Sequence, residues 1–355
     1  MTQPIINCDW LQIHVDTRKL NRQQKVYELR TLEGVRTRTF SEVIDIYYSG
    51  RPVGTLQHKP FSPRIPEGCG VLKIENYILY CRDRQAIISD IIKTLALTTL
   101  GTTRIDIAGD FQEIGGRLPE QLVSDLLTGK LRKVGHARQS IIGQEEVTAY
   151  GRKEWQYLRY GSRSSRITAY LYDKTRELTE EHDKPYIRAI WKANGFATKK
   201  RHTWRLEFSI KGRDMSFIST ETGEVLPQYW QYWLDGSCMR DIYRALCVHY
   251  FNIALNDHAR PRCCTPLPLW KDYGKSDILV KYLEPTRHNN RSDKILLKKL
   301  LTLSEEVYDA ELLALASATA TKFAEVKHLT AWARLNNLTP YLYDELQIQT
   351  SANDA

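Results

Sequence analysis

The 355-residue sequence has no CxxC pair, no internal repeat, no low-complexity tract and no apolar run long enough to cross a bilayer. Each absence excludes something. The seven cysteines (Cys8, Cys69, Cys81, Cys238, Cys247, Cys263 and Cys264) are odd in number and follow no framework spacing, which predicts reduced thiols rather than a disulfide scaffold. His258 with Cys263 and Cys264 matches no zinc-ligand pattern. The longest apolar-looking segment, ALCVHYFNIAL at 245–255, is too short for a membrane span and contains His249 and Asn252. The opening MTQPIINCDW lacks the basic-then-apolar order of a secretory signal, so the expected location is the cytoplasm. Strong charge of one sign is missing too: 51 Lys and Arg against 42 Asp and Glu leave a net charge of +9. That excess points to an acidic partner, nucleic acid being the usual one, without deciding the matter.

What is present is 42% hydrophobic residues, enough for a sizeable core. Short segments alternate apolar and polar residues as half-buried strands do: 8–16, 43–49, 51–58, 71–81, 103–111, 131–137, 155–161, 166–174 and 202–212. Helical spacing covers 83–99, and Pro119 opens a second helix that Gly129 closes. Residues 185–200 read as helix and loop. Residues 227–256 and 291–336 read as helical, with a Pro-, Arg- and Asn-rich stretch at 257–290 between them. The expected class is α+β: a large, curved, mainly antiparallel sheet flanked by helices, then a helical C-terminal part. The expected division is 1–256, a linker or functional loop at 257–290, and 291–355.

Three strands carry the chemistry. Side chains alternate between the faces of a strand. Arg104, Asp106, Ala108 and Asp110 therefore share one face of RIDIAGDF, opposite Ile105, Ile107, Gly109 and Phe111. Thr168, Tyr170, Tyr172 and Lys174 share a face of ITAYLYDK, and Arg205, Glu207, Ser209 and Lys211 share a face of WRLEFSIK. If the strands join one sheet, its polar face collects acids, tyrosines and cations. Carboxylates suit a hard divalent cation, cations stabilise charge on phosphate oxygens, and a tyrosine hydroxyl can attack phosphorus. Residues i and i+4 on a strand lie roughly 13 Å apart. Asp106 and Asp110 then share a metal only if the strand bends at Gly109; otherwise Asp106, in mid-strand, is the ligand with Glu207. Glu75 is a weaker fourth candidate. Taken one at a time, such strands are also explained by solvated faces and cross-strand ion pairs.

The run YLRYGSRSSRITAYLYDKTRE at 157–177 resembles the signature of trans-acting replication initiation factors, which serve rolling-circle plasmids and some filamentous phages, with related relaxases in mobile elements. The matching residues are Gly161, Ser162, Arg163, Ser164, Tyr172, Asp173, Lys174 and Glu177, and the flanking strands RIDIAGDF, WRLEFSIKG and CDWLQIHVD are similar to the family's as well. The resemblance spans roughly residues 8–260. It implies an enzyme that nicks one strand at an origin, holds the 5′-phosphate on tyrosine and later rejoins it. Tyr172 is the implied nucleophile, with Tyr170 as the alternative. Asp106 and Glu207 are the implied ligands of Mg²⁺ or Mn²⁺, Asp110 less securely, and Lys174 neutralises phosphate charge. The chain has no His-hydrophobe-His triplet, which sets it apart from initiators and relaxases that hold their metal with paired histidines.

Arg163, Ser164 and Arg166 lie in a loop before the nucleophile strand, and Lys199, Lys200, Arg201 and Arg205 lead into the Glu207 strand. Both are candidate DNA contacts. The aromatics of PQYWQYW at 227–233 fit helix packing better than base stacking. The basic amphipathic stretch 292–307 fits DNA, a host helicase or plain packing equally. The expected partners are origin DNA, single-stranded or in a cruciform, a host helicase and a second copy of the chain; no membrane is expected. Transfer of a mobile element by a relaxase, a non-catalytic DNA-binding regulator, an RNA-binding sheet and a tyrosine recombinase are the competing readings.

Overall fold

A computed structural model describes residues 4–63, 65–135, 141–147, 153–161, 165–180, 183–197, 201–211, 216–219, 229–275 and 280–283. The chain divides into two compact units, Met1–Pro285 and Thr286–Ala355. The helix expected at 291–336 lies outside the described residues.

The first unit is built on a ten-stranded sheet in which every pairing is antiparallel. In chain order the strands of the unit are β1 (Ile5–Asp16), β2 (Glu28–Thr31), β3 (Phe40–Tyr48), β4 (Arg51–Pro60), β5 (Cys69–Ile74), β6 (Thr98–Phe111), β7 (Leu131–Val134), β8 (Ile141–Val147), β9 (Lys153–Tyr160), β10 (Ile167–Asp173), β11 (Trp204–Lys211), β12 (Ser216–Ser219), β13 (Asn252–Leu255) and β14 (Val280–Leu283). The large sheet runs β2-β3-β4-β5-β1-β6-β11-β10-β9-β8, while β12 pairs with β14 and β13 with β7. The helices are α1 (Asn76–Leu79), α2 (Arg84–Thr94), α3 (Pro119–Leu127), α4 (Lys174–Glu180), α5 (Pro185–Ala193), α6 (Trp230–Leu234), α7 (Gly236–Ala245) and α8 (Pro268–Lys275).

Alternation decides the two faces. Leu11, Ile13, Leu72, Ile105, Ile107, Leu171, Leu206 and Phe208 form a continuous apolar layer. Ile88 and Ile91 of α2, Leu122 and Val123 of α3, Trp230 and Trp233 of α6 and Ile242 and Tyr243 of α7 cover it. Each such side chain contributes about 1.5–3 kcal/mol on burial, so this layer carries most of the stability. Among the described residues, two short helices cover part of the opposite, polar face. There α4 and α5 pack Leu178, Ile187, Trp191 and Phe196 into a small separate core against Ile5 and Tyr80.

The structure departs from the sequence expectation at several points. The strand expected at 71–81 ends at Ile74 and turns into α1. Helix does not continue through 227–256: after a π-turn at Leu246–Tyr250 the chain extends as β13. The stretch expected as a linker or functional loop at 257–290 begins within the first unit, where Leu267 and Trp270 are buried and Trp270 Nε1 donates to the Phe251 carbonyl at 2.9 Å. Of the two alternatives left open for Asp106 and Asp110, the bend at Gly109 is not formed, since β6 pairs with β11 without interruption from Arg104 to Phe111. Gly109 serves the other face: a Cβ there would fall 2.3 Å from the Tyr243 hydroxyl, which donates to the Leu206 carbonyl.

Candidate active site on the polar sheet face

The register brings the three strands together as adjacent neighbours. Tyr170 stands opposite Glu207 and Tyr172 opposite Arg205 on β10–β11; Glu207 stands opposite Ala108, and Arg205 opposite Asp110, on β11–β6. Tyr172 is the last tyrosine before the strand becomes a helix. Asp173 makes that change by accepting a hydrogen bond from the Arg176 amide at 3.1 Å, the side-chain cap that starts α4. Its other oxygen meets His202 Nδ1 at 2.5 Å. The Tyr-Asp-Lys order thus places Tyr172 at the strand end and Lys174 on the first turn of α4, both directed to one site.

There the Tyr172 hydroxyl donates to Glu207 Oε2 at 2.8 Å. Lys174, only 1% exposed, holds its Nζ 3.5 Å from the same hydroxyl and donates to Glu177 Oε1 at 2.6 Å. Desolvation, then the nearby Glu207 charge, raises the Tyr172 phenol well above its ordinary value, so the resting hydroxyl keeps its proton. Desolvation, reinforced by Asp9 and Asp106, pushes Glu207 up to about 8. Burial and then Arg205 lower the Lys174 ammonium. Tyr170 is half-buried, and among the described residues its hydroxyl has no hydrogen-bond partner. The phenol engaged by a carboxylate and an amine is Tyr172.

Two residues from the expected site take other roles. Asp110 is 2% exposed, and both its oxygens are held: Oδ1 by Arg205 Nε at 2.6 Å, Oδ2 by Trp191 Nε1 at 2.7 Å and Arg205 Nη2 at 2.9 Å. Arg205 is fully buried. It also donates to Asp9 Oδ1 at 2.6 Å and to the Tyr80 hydroxyl at 3.1 Å, so it offers no face to DNA. Of the other expected DNA contacts, Arg166 and Arg201 are exposed, while Arg163, Ser164, Lys199 and Lys200 lie outside the described residues. Glu75 pairs with Lys73, whose Nζ lies 3.9 Å from its Oε1.

The divalent-cation expectation meets an awkward donor set. Asp106 is clasped by Arg104, Nε to Oδ1 at 3.0 Å and Nη2 to Oδ2 at 2.5 Å, and Asp110 by Arg205. Among the described residues no three His, Cys, Asp or Glu side chains are grouped closely enough to hold a metal. As they stand, Asp106, Glu207 and Asp110 do not fit a preformed cation site.

Sequence reading missed Asp9, Tyr80 and Trp191. Asp9 carried a signal: strict alternation puts it on the face of Leu11, Ile13 and Val15, where an acid is costly. A bulge between Cys8 and Trp10 resolves the conflict and turns Asp9 away from the core. Tyr80 donates to Asp9 at 2.6 Å, and Arg205, Lys174 and Tyr80 outweigh burial to hold Asp9 below the usual carboxylate range.

The class these features define is an α+β protein with a tyrosine–carboxylate–lysine cluster on the polar face of an antiparallel sheet. No family model matches the chain, and no curated protein does. Among solved structures it is similar to a rolling circle replication initiator protein from Geobacillus stearothermophilus, with a TM-score of 0.44 and 13% identity, covering 78% of this chain and 96% of that one. Among the described residues no helix is long and apolar enough to cross a membrane.

Proposed function

We propose that this chain is a DNA strand-transferase that starts replication by nicking one strand with Tyr172. The observation that carries the reading is the Tyr172–Glu207 hydrogen bond of 2.8 Å beside the buried Lys174. A structural tyrosine on a sheet needs neither a carboxylate acceptor nor a buried ammonium. A nucleophilic tyrosine needs both: a base for its proton and a cation for the developing phenolate.

In this reading Tyr172 Oη attacks phosphorus as Glu207 accepts the phenolic proton. The new bond joins Oη to the 5′-phosphate, and the bond to the 3′-oxygen breaks. That oxygen leaves with a proton from water as a 3′-hydroxyl able to prime synthesis. Lys174 faces the charge gathering on Oη. Rejoining is the reverse, with Glu207 returning its proton to the phenol. Transfer of a mobile element would use the same chemistry, and nothing in the site separates it from replication.

The test is a denaturing gel of the protein incubated with single-stranded oligonucleotides tiling its own replicon, in Mg²⁺, Mn²⁺ and chelator. A covalent adduct lost in Tyr172→Phe supports the proposal. An adduct that survives moves the nucleophile to Tyr170, and tight binding without adduct on any tile favours a non-catalytic DNA-binding protein. An adduct formed in chelator would leave charge relief to Lys174. An adduct that forms only with a metal would overturn the reading in which Lys174 alone faces the charge on the phenolate oxygen.

A further inference from the structure

Trp10 stands on β1 directly opposite Asp106, on the same sheet face as the Tyr172 cluster. Two cations from neighbouring strands reach diagonally onto its ring: Lys73 Nζ from β5, 4.4 Å from the centroid, and the Arg104 guanidinium from β6, 4.6 Å from it. Trp10 is half-buried, and the side chains of Lys73 and Arg104 are 29% and 31% exposed. The cluster therefore opens to solvent, unlike the Arg205 network. Asp106 grips Arg104 with two hydrogen bonds, which fixes the guanidinium plane. Lys73 is held only loosely, 3.9 Å from Glu75.

Resting on the nickase reading, we propose that Trp10, Arg104 and Lys73 form a stacking subsite for an unpaired base flanking the scissile phosphate, which makes the substrate single-stranded. A guanidinium already lying over an aromatic ring is oriented to stack on a base, and a loosely held lysine can follow the adjoining phosphate. Trp10 lies two strands and one side-chain row from Glu207, roughly 12 Å away, within reach of the nucleotides beside a phosphate bound at Tyr172. A paired base has no free ring face for such a stack.

The test uses the full chain carrying Tyr172→Phe, a fluorescein-labelled oligothymidine and a matched duplex, with affinity read by anisotropy. Trp10→Ala should weaken single-strand binding about tenfold and leave duplex binding unchanged, while Trp10→Phe keeps most of the affinity. Lys73→Ala should lower single-strand affinity and flatten its salt dependence. That variant decides the matter if Trp10→Ala does not fold. Unchanged single-strand binding in Trp10→Ala or Lys73→Ala, or equal affinity for duplex, would overturn the subsite. Wild-type adduct formation with unaltered Trp10→Ala binding sinks the subsite alone. Absence of any adduct with the Trp10 effect intact sinks the nickase reading alone.

Discussion

Glu207 is where function and stability pull apart. Its carboxyl keeps a proton up to about 8, chiefly through burial, whereas an exposed glutamate ionises near 4.5. A protonated Glu207 cannot accept the Tyr172 proton. The rate of adduct formation, as kcat/KM, should therefore climb with pH and level off above about 8. A flat profile over that range would remove Glu207 as the base. The same shift has a stability consequence of opposite sense. Between 4.5 and about 8 the folded state binds a proton that the unfolded state has released, so raising the pH through this window favours unfolding. Glu207→Gln mimics the protonated form and cannot ionise. It should match wild type at pH 5, exceed it at pH 8 by on the order of 1–3 kcal/mol, and form no adduct. Thermal melts at the two pH values check this. A glutamate kept only for structure would not become more stable when neutralised.

At the scale of elements, the turn from β10 into α4 and the Gly109 contact are the most exposed to test. Asp173→Ala removes the cap of α4 and should cost about 0.5–2 kcal/mol. Its effect on adduct formation should be larger than that suggests, because α4 carries Lys174. Gly109→Ala drives a methyl into the Tyr243 ring, 2.3 Å from its hydroxyl and 2.5 Å from Cζ. Urea denaturation should show a loss of roughly 1–3 kcal/mol, smaller in a Tyr243→Leu background where the colliding ring is gone. These elements also show what was legible in the sequence. A period of two assigns faces without further information, so Tyr172, Glu207 and Asp106 were placed on one face, and the order β6-β11-β10 seats them side by side. The same period puts Asp9 on the apolar row, which signals a conflict, but it does not say that a bulge between Cys8 and Trp10 resolves it. Strands β2 and β8, ELRT and IIGQEEV, alternate too weakly to be read. The fate of Asp110 depended on Trp191, which lies 81 residues away in the chain. Side-chain competition across such a separation leaves no local pattern.

The whole unit is pinned by what lies beneath the site. Arg205, fully buried, joins β11 to Asp110 on β6, Asp9 on β1 and Tyr80 after α1, and Trp191 brings α5 onto the same Asp110. Removing one member of a buried ion pair leaves the others charged without water, which costs about 3–5 kcal/mol. Arg205→Met should lose that much in chemical denaturation, as one cooperative transition, since the partners lie on strands at the centre of the sheet. Lysine should not rescue it, because a single ammonium cannot reproduce the paired bonds to Asp110. Combining Arg205→Met with Asp9→Asn and Asp110→Asn removes the stranded charges and should recover a good part of the loss. Asp9 sets the acid limb. Its carboxyl ionises below the ordinary value of 3.8, so its contribution is complete above that pH and disappears as pH falls through its folded value. An Arg205 that served DNA directly would behave in the opposite way, with Arg205→Met folding as firmly as wild type and only its affinity for oligonucleotides reduced.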